Sequence, residues 1–320
     1  MSPHKIVFLG TPDFAVESLA ALHSDSRFEI VKVVSQPDRP SGRGHKTIPS
    51  EVSSFATDKS LNLSKVETVK SEILLDEIKN LKPIAGVVVA FGQILPQKFL
   101  DLFPFGVVNI HGSLLPKWRG AAPIQRALMA GDSEAGVTLQ RVVKKLDAGP
   151  IIGKRTMKLN GDETADFVYN NLKVLGADLI TEEFFRYLQS EIEPTPQDEN
   201  LVSVAAKIDK NEGLINWSRS ALEIVNQYRG LYIWPGVWTH RTFDGKLSRI
   251  KLKGLCEIEP TNHLDSGRIL KIDESGVSIA CGSGALLIRE IQPESKPFMK
   301  AADYARGYGL KLEEKLGAGE

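Results

Sequence analysis

The 320-residue chain balances 40 Lys and Arg against 40 Asp and Glu, so its formal net charge is zero and no global field draws in a polyanion. Any contact with nucleic acid must therefore come from local patches. Apolar and charged shares of 42% and 25% are those of an ordinary soluble protein, and the length allows two domains, each with its own core. The two cysteines, Cys256 and Cys281, fit neither a disulfide framework nor a zinc pattern and read as small buried hydrophobes, so no metal is expected. "MSPHK" runs directly into "IVFLG" without a basic start and a long apolar segment behind it, and without an Arg- and Ser-rich leader. Neither a signal peptide nor a membrane span is expected, and a cytoplasmic location is the default.

In chain order, "KIVFLG" (5–10) reads as a strand, followed by a helix from about Asp13 with Phe14, Leu19 and Leu22 on one face. "FEIVKVVS" is the next strand. Helices are predicted near Ser50 to Lys59 and over "SEILLDEIKNLK", and strands over "IAGVVVA" (84–90), apolar on both faces, and "GVVNIH". Apolar strands separated by helices imply a parallel sheet covered on both sides. A helical pattern runs from about Thr164 to Leu188, with Phe167, Leu172, Leu175, Leu179 and Phe184 at helical spacing; "EIEPTPQDEN", with two prolines, then reads as a linker. Beyond a helix around Ala221 to Tyr228, short strands are punctuated by Asp244-Gly245 and by Gly282-Ser283-Gly284, which mark hairpins. The fold class predicted is α/β, a Rossmann-like doubly wound parallel sheet with a smaller C-terminal β-barrel of the oligonucleotide-binding type; a sandwich fits the last part nearly as well. The expected boundaries are 1–190 for the catalytic domain, 191–208 for the linker and 209–320 for the β domain.

Two glycine-bearing motifs fail. "GTPDFA" follows the first strand but has one glycine where a dinucleotide fingerprint needs three, and in "GRGHKT" His45 separates the glycine from Lys46, which excludes a P-loop. The chemistry instead gathers in "NIHGSLLPKWRGAAPIQRA" (109–127). Strand alternation puts Asn109 and His111 on one face, at the carboxyl end of a parallel strand, where open α/β sheets bind their ligands. An amide can donate to an oxygen that becomes negative, and an imidazole can donate, accept or shuttle a proton near neutral pH. A carboxylate should balance the imidazole, and Asp147 of "KKLDAGP" is the candidate, since a glycine-containing turn and another strand, "IIGKRTM", follow it. On spacing alone, a structural histidine and a turn-capping aspartate fit as well as an active site.

Two basic segments stand out. "QPDRPSGRGHKTIP" (36–49) carries Arg39, Arg43, His45 and Lys46 among prolines and glycines, as a loop after a strand; as residues alone, it reads most simply as a solvated surface loop. In "KLSRIKLKG", Arg249, Lys251 and Lys253 share one face of a strand, as a phosphate-binding stripe or a solvated face would.

Taken together, "GTPDFA", "QPDRPSGRG", "VVAFGQILP", "NIHGSLLPKWRGAAPIQRA", "LDAGP" and "GVSIACGSGALLIREIQP" resemble the 10-formyltetrahydrofolate-dependent formyltransferase family, in its methionyl-tRNA branch, over nearly the full chain. The resemblance implies the formyltransferase fold, with catalytic residues Asn109, His111 and Asp147 and a folate-contacting stretch at Ser113, Leu114, Leu115 and Pro116. It further implies a pterin-pocket loop of Phe91, Gly92, Gln93, Ile94 and Leu95, acting largely through backbone groups. Arg39, Arg43 and Lys46 then fall in a tRNA-contacting insertion, with Arg43 its key arginine, and Arg249, Lys251 and Lys253 in a second tRNA contact. The implied reaction moves a formyl group from 10-formyltetrahydrofolate to the α-amine of methionine on initiator tRNA, for translation initiation. The implied partners are initiator methionyl-tRNA and folate, with no metal, no membrane and no obligate protein partner. Lys144 and Lys145 depart from the family pattern beside Asp147, and "GLYIWPGVW" lacks an Asn-Pro often found there. The rivals are a formyltransferase for an amino-sugar nucleotide, a hydrolase releasing formate from the folate, and, in another class, a non-catalytic RNA-binding module.

Overall fold

The computed structural model describes residues 2–41, 46–243, 245–259 and 265–317. In chain order the elements are β1 (His4–Gly10), α1 (Val16–Ser24), β2 (Phe28–Ser35), β3 (Arg39–Ser41), β4 (Lys46–Ile48), α2 (Glu51–Asp58), β5 (Leu63–Lys65), α3 (Glu72–Leu81), β6 (Ala85–Val89), α4 (Gln97–Leu100), β7 (Val107–His111), β8 (Arg119–Gly120), α5 (Pro123–Ala130), β9 (Glu134–Arg141) and β10 (Ile151–Lys158). They continue with α6 (Ala165–Leu179), α7 (Phe185–Leu188), β11 (Val204–Ala205), α8 (Ala221–Gly230), β12 (Val237–Phe243), β13 (Lys246–Ile258), β14 (Ile269–Asp273), β15 (Gly276–Ala280), β16 (Ala285–Gln292), β17 (Met299–Lys300) and α9 (Ala301–Gly307). Contacts define two compact units: Met1–Pro123 with Glu134–Lys158 and Val168–Ala205, and Ile124–Ser133 with Leu159–Phe167 and Ala206–Glu320.

The first unit is built on a seven-stranded sheet in the order β10-β9-β7-β6-β1-β2-β5. Strands β5, β2, β1, β6 and β7 are parallel, and the order reverses between β1 and β6, the arrangement that opens a crevice at the strands' carboxyl ends. All of β6 is buried, as a strand apolar on both faces requires when helices cover both sides. The sheet is not purely parallel as expected: β9 runs antiparallel to β7, and β10 antiparallel to β9. Two successive strands joined by a 142–150 connection too short for a crossover helix can pair only in this way.

The helical pattern of 164–188 is present, interrupted by a π-helical turn at Ile180–Phe184. Leu172, Leu179 and Phe184 are fully buried, but Phe167, expected on the core face, is 50% exposed. The buried stripe there runs through Ala165, Val168 and Leu172, and Phe167 is one residue off it, about 100° around the helix. In the stretch 191–208, expected as a linker, Thr195 pairs with Ile151 and β11 pairs with β8, and residues up to Ala205 belong to the first unit.

The second unit carries an antiparallel sheet in the order β12-β13-β16-β15-β14, with β17 beside β16. The hairpin expected at Gly282-Ser283-Gly284 joins β15 to β16; Asp244, of the other expected turn, lies outside the described residues. Cys281 is buried and Cys256 partly buried, both free, and burial pushes the Cys281 thiol up to about 12. Among the described residues no helix is long and apolar enough to cross a membrane.

Arg241 of β12, 2% exposed, ties residues 304–314 to this sheet. Its guanidinium donates to Glu314 Oε1 at 2.7 Å and Oε2 at 3.2 Å, to the Tyr308 carbonyl at 2.8 Å and to the Gly309 carbonyl at 3.1 Å, and it lies over the Phe243 ring at 4.8 Å. Arg241→Ala is expected to destabilise this unit by about 3–5 kcal/mol, because Glu314 and two carbonyls lose their donor; the urea midpoint of the full chain measures it.

Candidate functional site

Strand β7 positions the first two groups. Asn109 and His111 lie on one sheet face, and on β9 their cross-strand partners are Gln140 and Thr138. Four polar side chains thus share one patch of an otherwise apolar sheet, and His111 (6% exposed), Thr138 (0%) and Gln140 (2%) must find partners there. Thr138 Oγ1 donates to the Ser113 carbonyl at 2.7 Å and accepts from the Leu115 N–H at 3.1 Å. Ser113 Oγ donates to the Lys117 carbonyl at 2.7 Å, which closes the loop. Leu114 lies over Gly136, where a Cβ would come within 2.4 Å of Leu114 Cδ2. Leu115 is fully buried, so Leu114 and Pro116 are the half-buried members of this stretch.

His111 Nε2 is 2.9 Å from the Trp118 carbonyl, and since a carbonyl only accepts, Nε2 carries a proton. Trp118 takes up a left-handed conformation (φ 65°), a strained state for a bulky residue. Nδ1 then faces Asp147 Oδ1 at 3.7 Å, a separation that leaves the pair short of a direct hydrogen bond. Asn109 is half-buried, and among the described residues nothing pairs with its side-chain amide.

Asp147 belongs to the 142–150 connection. β9 ends at Arg141, opposite Val108, yet the carboxylate meets Gln140 and His111, so the connection turns back over the polar face. Asp147 has φ 48°, a region aspartate tolerates better than most residues. Gly149 lets the turn touch β9, because a Cβ there would come within 1.7 Å of the Arg141 carbonyl. Asp147 Oδ2 accepts from the Gly120 N–H at 2.9 Å and Oδ1 from Gln140 Nε2 at 3.3 Å. Gly120 (φ 126°) is itself pressed against β11, where a Cβ would come within 2.6 Å of the Ala205 carbonyl. Lys145, flagged by its departure from the family pattern, is exposed and directs its ammonium to Glu199 Oε2 at 2.8 Å. Hydrogen bonds from Arg119 and Lys145 hold the Glu199 carboxyl down at about 2.

The next loop follows β6, the strand paired with β7. The Phe91 carbonyl accepts from Thr11 Oγ1 at 3.2 Å and from Gln36 Nε2 at 2.7 Å, which joins the ends of β1, β2 and β6. Phe91 and Leu95 are core residues, and Gln93 is spent on the Val69 N–H and the Val66 carbonyl. Gly92 and Ile94, the latter 80% exposed, are the members turned outward. Arg39 is exposed, with Nη2 donating to Gln36 Oε1 at 3.3 Å. Arg43 and the side chain of Lys46 lie outside the described residues.

In the second unit Arg249, Lys251 and Lys253 are half-buried and alternate with buried Ile250 and Leu252 on β13. Arg249 lies over the Trp238 ring at 5.6 Å, Lys251 Nζ donates to the Pro235 carbonyl at 3.1 Å, and Lys253 Nζ lies over the Tyr232 ring at 5.2 Å. The hydrogen bond with Tyr232 holds the Lys253 ammonium above the usual lysine range.

Sequence reasoning missed Gly120, Gln140, Gln197, Trp118 and Arg119, which contact Asp147 or His111 or stand behind those contacts. For Gln140 a signal existed: "VTLQR" places Thr138 and Gln140 two apart in an apolar strand. Gln197 carried none, lying in a polar, proline-bearing stretch 50 residues from Asp147.

The fold defines the class: a Rossmann-like α/β unit with an antiparallel C-terminal sheet. Residues 4–183 match the formyl transferase family model and residues 207–309 the model for the formyl transferase C-terminal domain. The chain belongs to the formyl transferase family. It is 47% identical to the methionyl-tRNA formyltransferase of Bdellovibrio bacteriovorus, with 99% of this chain and 100% of that protein covered, and 37% identical to that of Geobacter sulfurreducens, with 99% and 98% covered. The crystal structure of an N-formyltransferase from Helicobacter canadensis, in complex with folinic acid and dTDP-3-aminofucose, is similar in fold, with a TM-score of 0.65 at 22% identity over 89% of this chain and 98% of that one.

Thr138→Val, nearly isosteric, is expected to cost about 1–3 kcal/mol for each of the two backbone groups it leaves unpaired. Denaturant unfolding measures the loss, and faster amide exchange at Leu115 localises it.

Proposed function

We propose that this chain transfers the formyl group of 10-formyltetrahydrofolate to the α-amine of methionyl initiator tRNA, in the cytoplasm, at a site formed by Asn109, His111 and Asp147. Full-length likeness to proteins of that activity supports the reaction. The observation that carries the site is the 3.7 Å approach of Asp147 Oδ1 to His111 Nδ1, on the face where Asn109 keeps its amide unpaired.

The free amine attacks the formyl carbon, and the carbonyl oxygen becomes a tetrahedral oxyanion. The Asn109 amide donates to that oxyanion, and so does Nδ1–H of His111 in its imidazolium form, whose other N–H, on Nε2, is engaged with Trp118. Asp147 faces the charge on the imidazole at 3.7 Å and takes the ammonium proton through water. Collapse expels the folate nitrogen, which gains a proton; no covalent enzyme intermediate forms. Holding amine and formyl group together lowers the barrier further. Outward-facing Gly92 and Ile94, with half-buried Leu114 and Pro116, suit a flat heterocycle met by backbone groups and apolar carbon. Arg39, Arg43, Lys46 and the Arg249, Lys251 and Lys253 face meet the tRNA backbone, where ion pairing suffices.

Asn109→Ala is expected to lower kcat about 10²–10³-fold with both substrates saturating and their KM values nearly unchanged. Asp147→Asn, which keeps the shape and removes the charge, is expected to lower kcat by about 10²-fold or more. Wild-type turnover in either variant overturns the assignment. Product analysis with charged initiator tRNA, an amino-sugar nucleotide or water alone as acceptor tests the substrate. KM for tRNA is expected to rise steeply with salt, and neutralising Arg249, Lys251 and Lys253 together to flatten that slope; an unchanged slope removes the stripe from tRNA binding.

A further inference from the structure

Behind Asp147 lies a chain of polar side chains whose donor directions are all dictated. It begins at Arg119 of β8, 6% exposed, which has five N–H donors and no acceptor. Its Nε and Nη2 donate to Gln197 Oε1 at 3.0 and 2.9 Å. With its oxygen so turned, Gln197 directs the two hydrogens of Nε2 to the carbonyls of Asp147 at 2.9 Å and Gly149 at 2.7 Å and shares one of them with Gln140 Oε1 at 3.2 Å. Gln140, its own oxygen taken, is left with Nε2 toward Asp147 Oδ1 at 3.3 Å. Flipping either amide would set oxygen against oxygen, or Arg119 against an NH₂ group.

We propose that Gln197 and Gln140, oriented by Arg119, are positioning residues that aim Asp147 at His111 and keep it the acceptor at the end of a one-way hydrogen-bond relay. The relay does two jobs. Gln197 grips the Asp147–Gly149 turn by two carbonyls, which sets where the carboxylate stands, and Gln140 supplies the donor on Oδ1 while the Gly120 N–H fills Oδ2. Glu199, on the far side of Arg119 at 2.9 Å, pairs with the guanidinium and holds Arg119 from behind, while its other oxygen meets Lys145 at 2.8 Å. The relay acts only through Asp147 and therefore rests on the catalytic role proposed above for that residue.

A double-mutant cycle tests it. Gln197→Leu and the isosteric Gln197→Glu, which can pair with Arg119 but cannot donate to the turn, are each expected to lower kcat about 10- to 100-fold with KM for both substrates unchanged. In the Asp147→Asn background the same changes are expected to alter kcat less than about twofold, because the group they position no longer carries its charge. Thermal unfolding checks that Gln197→Glu is folded. Wild-type kcat in Gln197→Glu, or a loss that persists undiminished on Asp147→Asn, overturns the relay. If Asp147→Asn alone retains wild-type kcat, it is the role of Asp147 that fails.

Discussion

A carboxylate that is only 12% exposed must be met by hydrogen-bond donors, and the arrangement of the first unit around Asp147 follows from that requirement. One oxygen is met by the backbone N–H of Gly120, the other by an amide rooted in β9. Leaving either oxygen bare would raise the cost of the charge; meeting both with protein donors fixes the carboxylate in place. The imidazole of His111 then stands beside a group with a defined direction, and its own second nitrogen is fixed by Trp118.

The mixed sheet makes this possible. The antiparallel register of β7 and β9 sets Gln140 directly opposite Asn109 and Thr138 directly opposite His111. The antiparallel pair brings Thr138 and Gln140 onto the face of Asn109 and His111, one to clasp the 113–116 loop and the other to meet Asp147. The short β8–β11 pairing brings Arg119 and Gly120 beside a segment whose polar, proline-bearing sequence suggests only a connection. The groups of the candidate site therefore come from strand ends and tight turns, where packing holds them, more than from long loops.

The candidate site is only partly legible in the amino-acid sequence. A strand's period of two marks Asn109 and His111 as neighbours on one face, since that relation spans three residues. Asp147 is reachable from a local pattern, a carboxylate before a glycine turn and a strand. The alternating Thr138 and Gln140 are open to the same reading. Gln197 is not, because polar residues in a Pro-rich stretch are the rule, and only burial against the Asp147 turn makes this one special. Phe167 shows the converse: helical spacing includes it in an apolar face, but the stripe that is buried passes one residue away.

What the sequence determined by itself were relations carried by adjacent residues: the alternation of strands and helices, the faces they present, the turn before β16 and the motifs that mark the family. These depend on steric preferences and hydrophobic periodicity, which act over a few residues. What only tertiary structure decided were the pairings that cross the chain, with Gly120 27 residues from Asp147, Gln197 50 residues from it and Arg119 78 residues from Gln197. Such pairings form because buried polar groups must be satisfied wherever packing leaves them. Which donor meets which acceptor depends on close backbone contacts at Gly120 and Gly149 that no short stretch of sequence encodes.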